Sequence, residues 1–421
     1  MFSKVRPVFQ TGKNVRRISS KEVMEKEAKY AAHNYHPLPV VLAKGQGVFV
    51  WDVEGKRYYD FLSGYSTNNF GHCHPKLVKA LTEQAHQLHH VSRAFYSNVF
   101  AEYAEKITKL FGYDRMVPMN TGVEACETSC KISRKWGYKK KKIPKDSAKI
   151  IFATDNFWGR SLAAVSASTD PLAFEDYGPF MPGFSCVPYN DLHALEKALI
   201  DPLVCAFMVE PIQGEAGIKV PSEGYLKGVR ELCTKHNVLW IADEVQTGLG
   251  RTGKRLTCDY ENVKPDILVL AKALGGGLYP VSAALANDDI MLVLEPGTHG
   301  STFGGNPLAS KIAMTALDVL EEENIINNSF NMGQKFRKGL EDLKSNQAVV
   351  DVRGKGLLNA IEFNSNILNA WDVLIELKKR GIVAKHTHDD IVRLSPPLII
   401  NEEQIEDTVD IIKKTINDMT K

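Results

Sequence analysis

The sequence predicts an α/β protein: a large domain on a mostly parallel sheet flanked by helices, plus a smaller α+β domain. At 421 residues the chain is too long for one simple core. Short apolar runs stand at Met116–Met119, Ile150–Ala153, Ala206–Val209, Leu239–Ala242 and Ile267–Leu270, and longer amphipathic segments separate most of them. Buried strands alternating with helices imply a mostly parallel sheet. From about Asn327 the pattern turns to long amphipathic helices around short strands near Val349–Val352, Leu357–Glu362 and Ile391–Leu394, which marks the smaller domain.

The first twenty residues hold Lys4, Arg6, Lys13, Arg16 and Arg17, three serines and no acidic residue. That composition marks mitochondrial transit peptides, with a disordered basic tail as the plain alternative; Pro7 and Gly12 weaken any amphipathic helix there. Ser19 to Glu22 offers a capping box, so a helix is expected from near residue 20. Gly47 to Phe61 alternates around a Glu54-Gly55 turn and reads as a β-hairpin. Helical periodicity then runs from Pro75 to about Phe111.

Several function classes receive no support. The formal charge of +2 calls for no polyanionic partner. The run Lys139 to Lys142 lacks interleaved aromatics and reads as a solvated helix end and loop. His72-Cys73-His74 and His89-His90 match no zinc spacing, so no metal is expected. The seven cysteines are odd in number and form no framework, which suggests free thiols in a reducing compartment. The apolar stretch Ile267 to Ala286 is broken by Lys272, a run of glycines and Pro280, so no membrane span is expected.

The chemistry concentrates at strand ends. The run Leu239-Trp240-Ile241-Ala242 ends in Asp243-Glu244, and in open α/β sheets ligands sit outside such carboxyl ends. The run Ile267-Leu268-Val269-Leu270 ends in Ala271-Lys272 and a glycine-rich loop. Burial disfavours the ammonium form, which readies Lys272 as a nucleophile toward an aldehyde. A pyridoxal phosphate site needs this pair: a lysine for the Schiff base and a carboxylate that keeps the pyridine nitrogen protonated. The segment Met119 to Ala125 leads from a strand into a helix, and a helix N-terminus opened by Gly122 suits a phosphate. Taken alone, that segment is better explained as an ordinary capped helix.

Asp243-Glu244, Gln246-Thr247-Gly248, Arg251-Thr252-Gly253 and Lys272 together resemble the signature of the class III pyridoxal-phosphate-dependent aminotransferases. The resemblance covers nearly the whole chain after residue 20 and implies fold type I, with a sheet of the seven-stranded type. It implies cofactor contacts from Gly122, Val123, Phe157, Asp243, Gln246 and Lys272, with Asp243 and Lys272 catalytic. Phe157 would stack on the pyridine and Gln246 would bond its phenolic oxygen. Ser301 and Thr302 would reach the cofactor of a neighbouring subunit, so a homodimer or larger homo-oligomer is implied. The division implied is 1–20 as presequence or tail, 21–70 as an N-terminal part of the small domain, 71–326 as the cofactor-binding domain and 327–421 as the C-terminal small domain.

Within the family the chain is most similar to the ornithine-specific members, at Ala32 to Val40, Gly71 to Pro75, Asn156 to Arg160, Glu210 to Gly217 and Arg353 to Gly356. That implies transfer of the δ-amino group of L-ornithine to 2-oxoglutarate in the mitochondrial matrix. Arg160 and Tyr35 would hold the α-carboxylate far from the cofactor, with Tyr65 lining the channel beside them. Arg393 would take the keto acid's α-carboxylate, masked by Glu215 while the amine donor is bound; a structural salt bridge is the alternative. Asn68-Asn69-Phe70 stands where Val-Asn-Gln is usual, and Gly275-Gly276-Gly277 where Ser-Gly-Gly is usual, which puts the pocket's shape or affinity in doubt near Phe70. The competing readings are an ω-aminotransferase acting on 4-aminobutyrate or N-acetylornithine, and a catalytically silent binding protein of the same fold.

Overall fold

A computed structural model describes residues 19–421. Of the basic N-terminal stretch, residues 1–18 lie outside the described residues. Ser19 caps the helix Ser20–Tyr30 through the expected box with Glu22. The hairpin follows as β1 (Leu42–Gln46), β2 (Phe49–Asp52) and β3 (Arg57–Asp60), the first of these unforeseen. The helical stretch after Pro75 is two helices, Pro75–Gln87 and Asn98–Phe111, and not the single periodic run expected. Leu88 turns extended and Ser97 is extended before the second helix, so the backbone leaves the helical path between them despite the shared apolar spacing.

The central sheet holds β4 (Arg115–Met119), β5 (Lys149–Ala153), β6 (Phe184–Val187), β7 (Val204–Val209), β8 (Leu239–Asp243), β9 (Ile267–Leu270) and β10 (Ser282–Ala286). Its order is β4-β10-β9-β8-β7-β5-β6, seven strands in all. β10 alone runs against the other six. Every residue of β7, β8, β9 and β10 is buried, as expected of strands covered on both faces. The register Asp243↔Val269 brings the ends of β8 and β9 side by side, so Asp243 and Lys272 leave the same edge of the sheet.

The C-terminal region adds β11 (Val349–Lys355), β12 (Leu358–Phe363), β13 (Ile382–Val383), β14 (Lys385–Thr387) and β15 (Ile391–Leu394). Strands β11-β12-β15-β14 form an antiparallel sheet, while β13 crosses over to pair in parallel with β3. The N-terminal hairpin is thereby stitched to the far end of the chain. One continuous apolar cluster joins Phe61 and Phe70 to Leu270 on the central sheet and Leu394 on the C-terminal one. No helix among the described residues is long and apolar enough to cross a membrane.

Candidate active site

Two ionisable side chains stand at the neighbouring ends of β8 and β9. Asp243 is buried at 4% exposure; its Oδ1 accepts from Val245 N–H at 3.0 Å and its Oδ2 from the Cys126 thiol at 3.6 Å. Burial pushes its pKa up, against the pull of the Val245 amide and Lys272. Lys272 has φ +48°, a left-handed conformation that costs a non-glycine residue energy and is found where the surroundings hold it in place. Desolvation brings its pKa down to about 8, with Asp243 pulling the other way. The amine is therefore partly neutral at neutral pH and close to nucleophilic form.

A second acid stands there, which the sequence marks only within the segment Glu210 to Gly217. Glu210 follows β7 directly, is buried, and accepts N–H bonds from Phe157 at 3.0 Å and Gly214 at 3.2 Å. Burial and the neighbouring Asp243 raise its pKa, so two carboxyls and one amine share a dry site. Its signal in the sequence was available: Glu210 ends an apolar strand as Asp243 ends the next.

Beside Lys272 opens a cavity of about 320 Å³ whose walls include Thr67, Asn120, Thr121, Gly122 and Tyr279. Thr121 caps the helix Gly122–Lys139 through a box with Glu124. Among the described residues no acceptor meets the N–H groups of Gly122 and Val123, so both remain available to an anion at a helix N-terminus. A Cβ on Gly122 would come within 3.1 Å of Val245 Cγ1, so the chain approaches closely only without a side chain. This arrangement fits pyridoxal phosphate: free amides for the phosphate, an amine for the aldehyde and a buried carboxylate for the ring nitrogen. A larger cavity, about 420 Å³ beside Gly253, Leu320 and Phe330, shares no lining residue with this one.

The remaining predicted residues divide into those in mutual contact and those at the rim. Gln246 donates through Nε2 to the Tyr65 carbonyl at 3.2 Å and accepts at Oε1 from Arg393 at 3.4 Å. A Cβ on Gly214 would sit 1.5 Å from that Oε1, which explains the glycine. Arg393 is buried, donates to Glu215 at 2.5 Å, and lies 5.4 Å from the centre of the Tyr65 ring. Burial works against ionised Glu215, yet Arg393 holds its pKa below the usual value. Tyr65 belongs to a strained turn in which Ser63, Tyr65 and Ser66 all have positive φ.

At the rim, Tyr35 is 77% exposed and acts electrostatically on Tyr65. Arg160 is exposed, its guanidinium 5.5 Å from the Phe157 ring centre. Ser301 accepts from Asn120 at 2.9 Å within its own chain, while Thr302 is exposed without a side-chain hydrogen bond among the described residues. Phe70 does not line the cavity: at 1% exposure it belongs to the apolar core, so its departure from the family pattern acts on packing. A Cβ on Gly275 would find its nearest neighbour at 3.4 Å, so a serine would fit there. Arg251, quoted only as a motif residue, is fully buried and donates to Leu357 and Pro396 carbonyls and to Asn69. It ties the loop after β8 to the N- and C-terminal segments.

All seven cysteines are free thiols. His72 bonds Asp60 at 2.7 Å and His74 bonds Glu323 at 3.1 Å. Lys139 pairs with Glu295, and Lys141 donates to the Val204 carbonyl, which accounts for much of the lysine run.

Comparison with known proteins agrees with this geometry. The profile of the aminotransferase class-III family matches residues 30–416. The mitochondrial ornithine aminotransferase of Drosophila melanogaster is 63% identical over 400 residues, covering 95% of this chain and 92% of that protein. The crystal structure of the ornithine aminotransferase from Toxoplasma gondii superposes with a TM-score of 0.94 at 45% identity, covering 96% of each chain. A solved structure of an acetylornithine aminotransferase from Elizabethkingia anophelis superposes with a TM-score of 0.86 at 52% identity, over 95% of this chain and 99% of that one. A desolvated lysine and a buried aspartate at neighbouring strand ends, a helix start with free amides beside them and a family match across the same residues lead to one conclusion: this chain belongs to the class III aminotransferases.

Proposed function

We propose that the chain transfers the δ-amino group of L-ornithine to 2-oxoglutarate in two half-reactions. The products are glutamate and glutamate 5-semialdehyde, which cyclises to pyrroline-5-carboxylate. One observation carries the choice of reaction: the desolvated Lys272 amine beside buried Asp243, with a buried arginine already masked by a carboxylate nearby. Pyridoxal phosphate, the cofactor of this family, supplies an aldehyde for the amine and a ring that accepts electrons.

The residues then divide the work. Gly122 and Val123 hold the phosphate through their amides, aided by Ser301 and Thr302 of a neighbouring subunit. Asp243, braced by the Val245 amide and the Cys126 thiol, would keep a proton on the cofactor's ring nitrogen. Phe157 would cover the ring face and Gln246 would bond the phenolic oxygen. Lys272 would hold the cofactor through its amine and, once released, would act as the proton carrier that takes a proton from the substrate's Cδ. Arg160 and Tyr35 clamp ornithine's α-carboxylate at the rim, with Tyr65 lining the channel, so that only the δ-amine reaches the centre. Glu215 masks Arg393 in that half-reaction and uncovers it for the α-carboxylate of 2-oxoglutarate.

The oligomer proposed is a homodimer with shared sites, supported by exposed Thr302 and by exposed Phe95, Tyr96 and Phe303. The location proposed is the mitochondrial matrix, supported by the acid-free basic N-terminus and by the relative named mitochondrial. We take 21–70 with 327–421 as the small domain, around 71–326, on the strength of the β3–β13 pairing.

The acetylornithine neighbour keeps N-acetylornithine as a second reading. A single-turnover titration separates them: L-ornithine, N-acetylornithine and 4-aminobutyrate are added separately, without keto acid, to cofactor-loaded protein. Loss of the cofactor's visible absorbance with ornithine alone, together with pyrroline-5-carboxylate, is the expected result. Faster loss with another amine would overturn the ornithine assignment while leaving the reaction class.

A further inference from the structure

Tyr35 stands on a segment with few anchors of its own. Among the described residues Asn34, Tyr35, His36 and Pro37 make no hydrogen bond. Upstream, the His33 ring bonds the Ala28 carbonyl at 2.7 Å, but the helix that holds Ala28, Ser20–Tyr30, has no buried residue. Downstream, the chain lies along the helix Ala370–Lys379. The His36 ring stacks on Trp371, with centroids 4.3 Å apart and planes 16° from parallel, and the Pro39 carbonyl accepts from Lys378 Nζ at 3.0 Å. Three extended residues reach roughly 10 Å and seven helical residues rise about as far, so the two contacts are in step.

Trp371 is itself well fixed. Its N–H donates to the capping Asn369 side chain at 2.8 Å, and the Ala370 N–H donates to the Asp389 carbonyl at 2.9 Å. The His386 ring meets the indole edge-on, with centroids 5.5 Å apart and planes at 81°. His386 belongs to β14 and precedes Thr387, whose hydroxyl donates to the Glu215 carbonyl at 2.6 Å. One indole therefore joins the segment carrying Tyr35 to the strand that anchors Glu215. Stacked and edge-on ring contacts fix an angle as well as a distance, which an aliphatic side chain of similar bulk cannot do.

We propose that Trp371 is a positioning residue for the amine donor: its indole seats His36 and so sets the preceding residue, Tyr35, over the substrate channel. This rests on the reading that Tyr35 holds ornithine's α-carboxylate. Trp371 acts through Tyr35 and is given no contact with a reacting atom.

The test follows the ornithine half-reaction by stopped flow in cofactor-loaded Trp371→Leu, Trp371→Phe, Tyr35→Phe and the double variant Tyr35→Phe/Trp371→Leu. Trp371→Leu should raise the half-saturating ornithine concentration roughly fivefold, the worth of one ring stack, while the maximal rate of the step stays within about twofold. Trp371→Phe keeps a flat face and should return ornithine binding to within about twofold of the parent. With Tyr35→Phe in place there is no hydroxyl left to position, so adding Trp371→Leu should change the half-saturating concentration by less than about twofold. Equal losses in the Leu and Phe variants, a fall in maximal rate alone, or an undiminished effect in the double variant would overturn the proposal. Should Trp371→Leu fail to fold, His36→Ala removes the ring from the exposed side of the stack and must show the same rise and the same dependence on Tyr35. A loss in Tyr35→Phe with none in the stack variants overturns the proposal alone; no loss in Tyr35→Phe itself overturns the reading of Tyr35, and the proposal with it.

Discussion

The two ends of this site are built differently. At the inner end Asp243, Glu210 and Lys272 leave adjoining strands of a fully buried sheet, and every one of them is desolvated. At the outer end Tyr35 and Arg160 stand exposed on irregular segments, and Glu215 is partly exposed over a buried Arg393. The inner end gains its reactivity from the cost of burying charge, which needs rigidity and dryness. The outer end has to accept ornithine and then a dicarboxylate, which needs movable groups. Reaction type and substrate choice therefore reside in physically separate layers, and substitutions should divide accordingly.

The largest effect belongs to the inner layer. Lys272→Ala removes both the amine and the proton carrier, and turnover should fall by at least ~10⁴-fold. Steady multiple turnovers by that variant would sink the mechanism. Next comes Arg393→Met, which should weaken the 2-oxoglutarate half-reaction on the order of 10²-fold, the worth of a buried charge-assisted pair, and touch the ornithine step far less. Stopped-flow measurement of each half-reaction reads the difference, and equal losses would dissolve the contrast between the layers. Arg160→Ala, at the exposed rim, should raise the KM for ornithine roughly tenfold with kcat little changed. A fall in kcat alone would place Arg160 with the chemistry.

A pH experiment sharpens the same contrast. Lys272 attacks an aldehyde as the neutral amine, and its pKa is lowered to about 8. Capture of pyridoxal phosphate by the cofactor-free protein should therefore rise with pH and level off above about 8. An unburied lysine would keep rising toward its ordinary pKa, about 10.4. A rise that continues to pH 10 would mean the amine is not desolvated.

The inner layer was the more legible in sequence, and for a physical reason. Strands such as Leu239–Asp243 and Ile267–Leu270 are buried on both faces, so they are written as continuous apolar runs whose polar ends stand out. Strands of weaker pattern escaped. β10 reads Ser-Ala-Ala-Leu-Ala, with little β-branched content to separate it from a helix, and β6 lies at the sheet edge with only Val187 buried. β14, Lys-His-Thr, is legible only through its pairing with β15. Side-chain partnerships between distant segments leave no local trace either. The clamp of Arg251 and the β3–β13 pairing are properties of the folded chain. Phe70 is instructive: it departs from the family pattern close to Tyr65 in sequence, yet it is buried in the apolar core and lines no wall of the cavity.

The claim that everything else depends on is that Lys272, and no other of the chain's many lysines, holds the cofactor. Borohydride reduction of the cofactor-loaded protein, followed by peptide mass mapping, addresses it directly. A phosphopyridoxyl label confined to the peptide carrying Lys272 is the expected result. A label on a different lysine, or a loaded protein that takes no label, would contradict it.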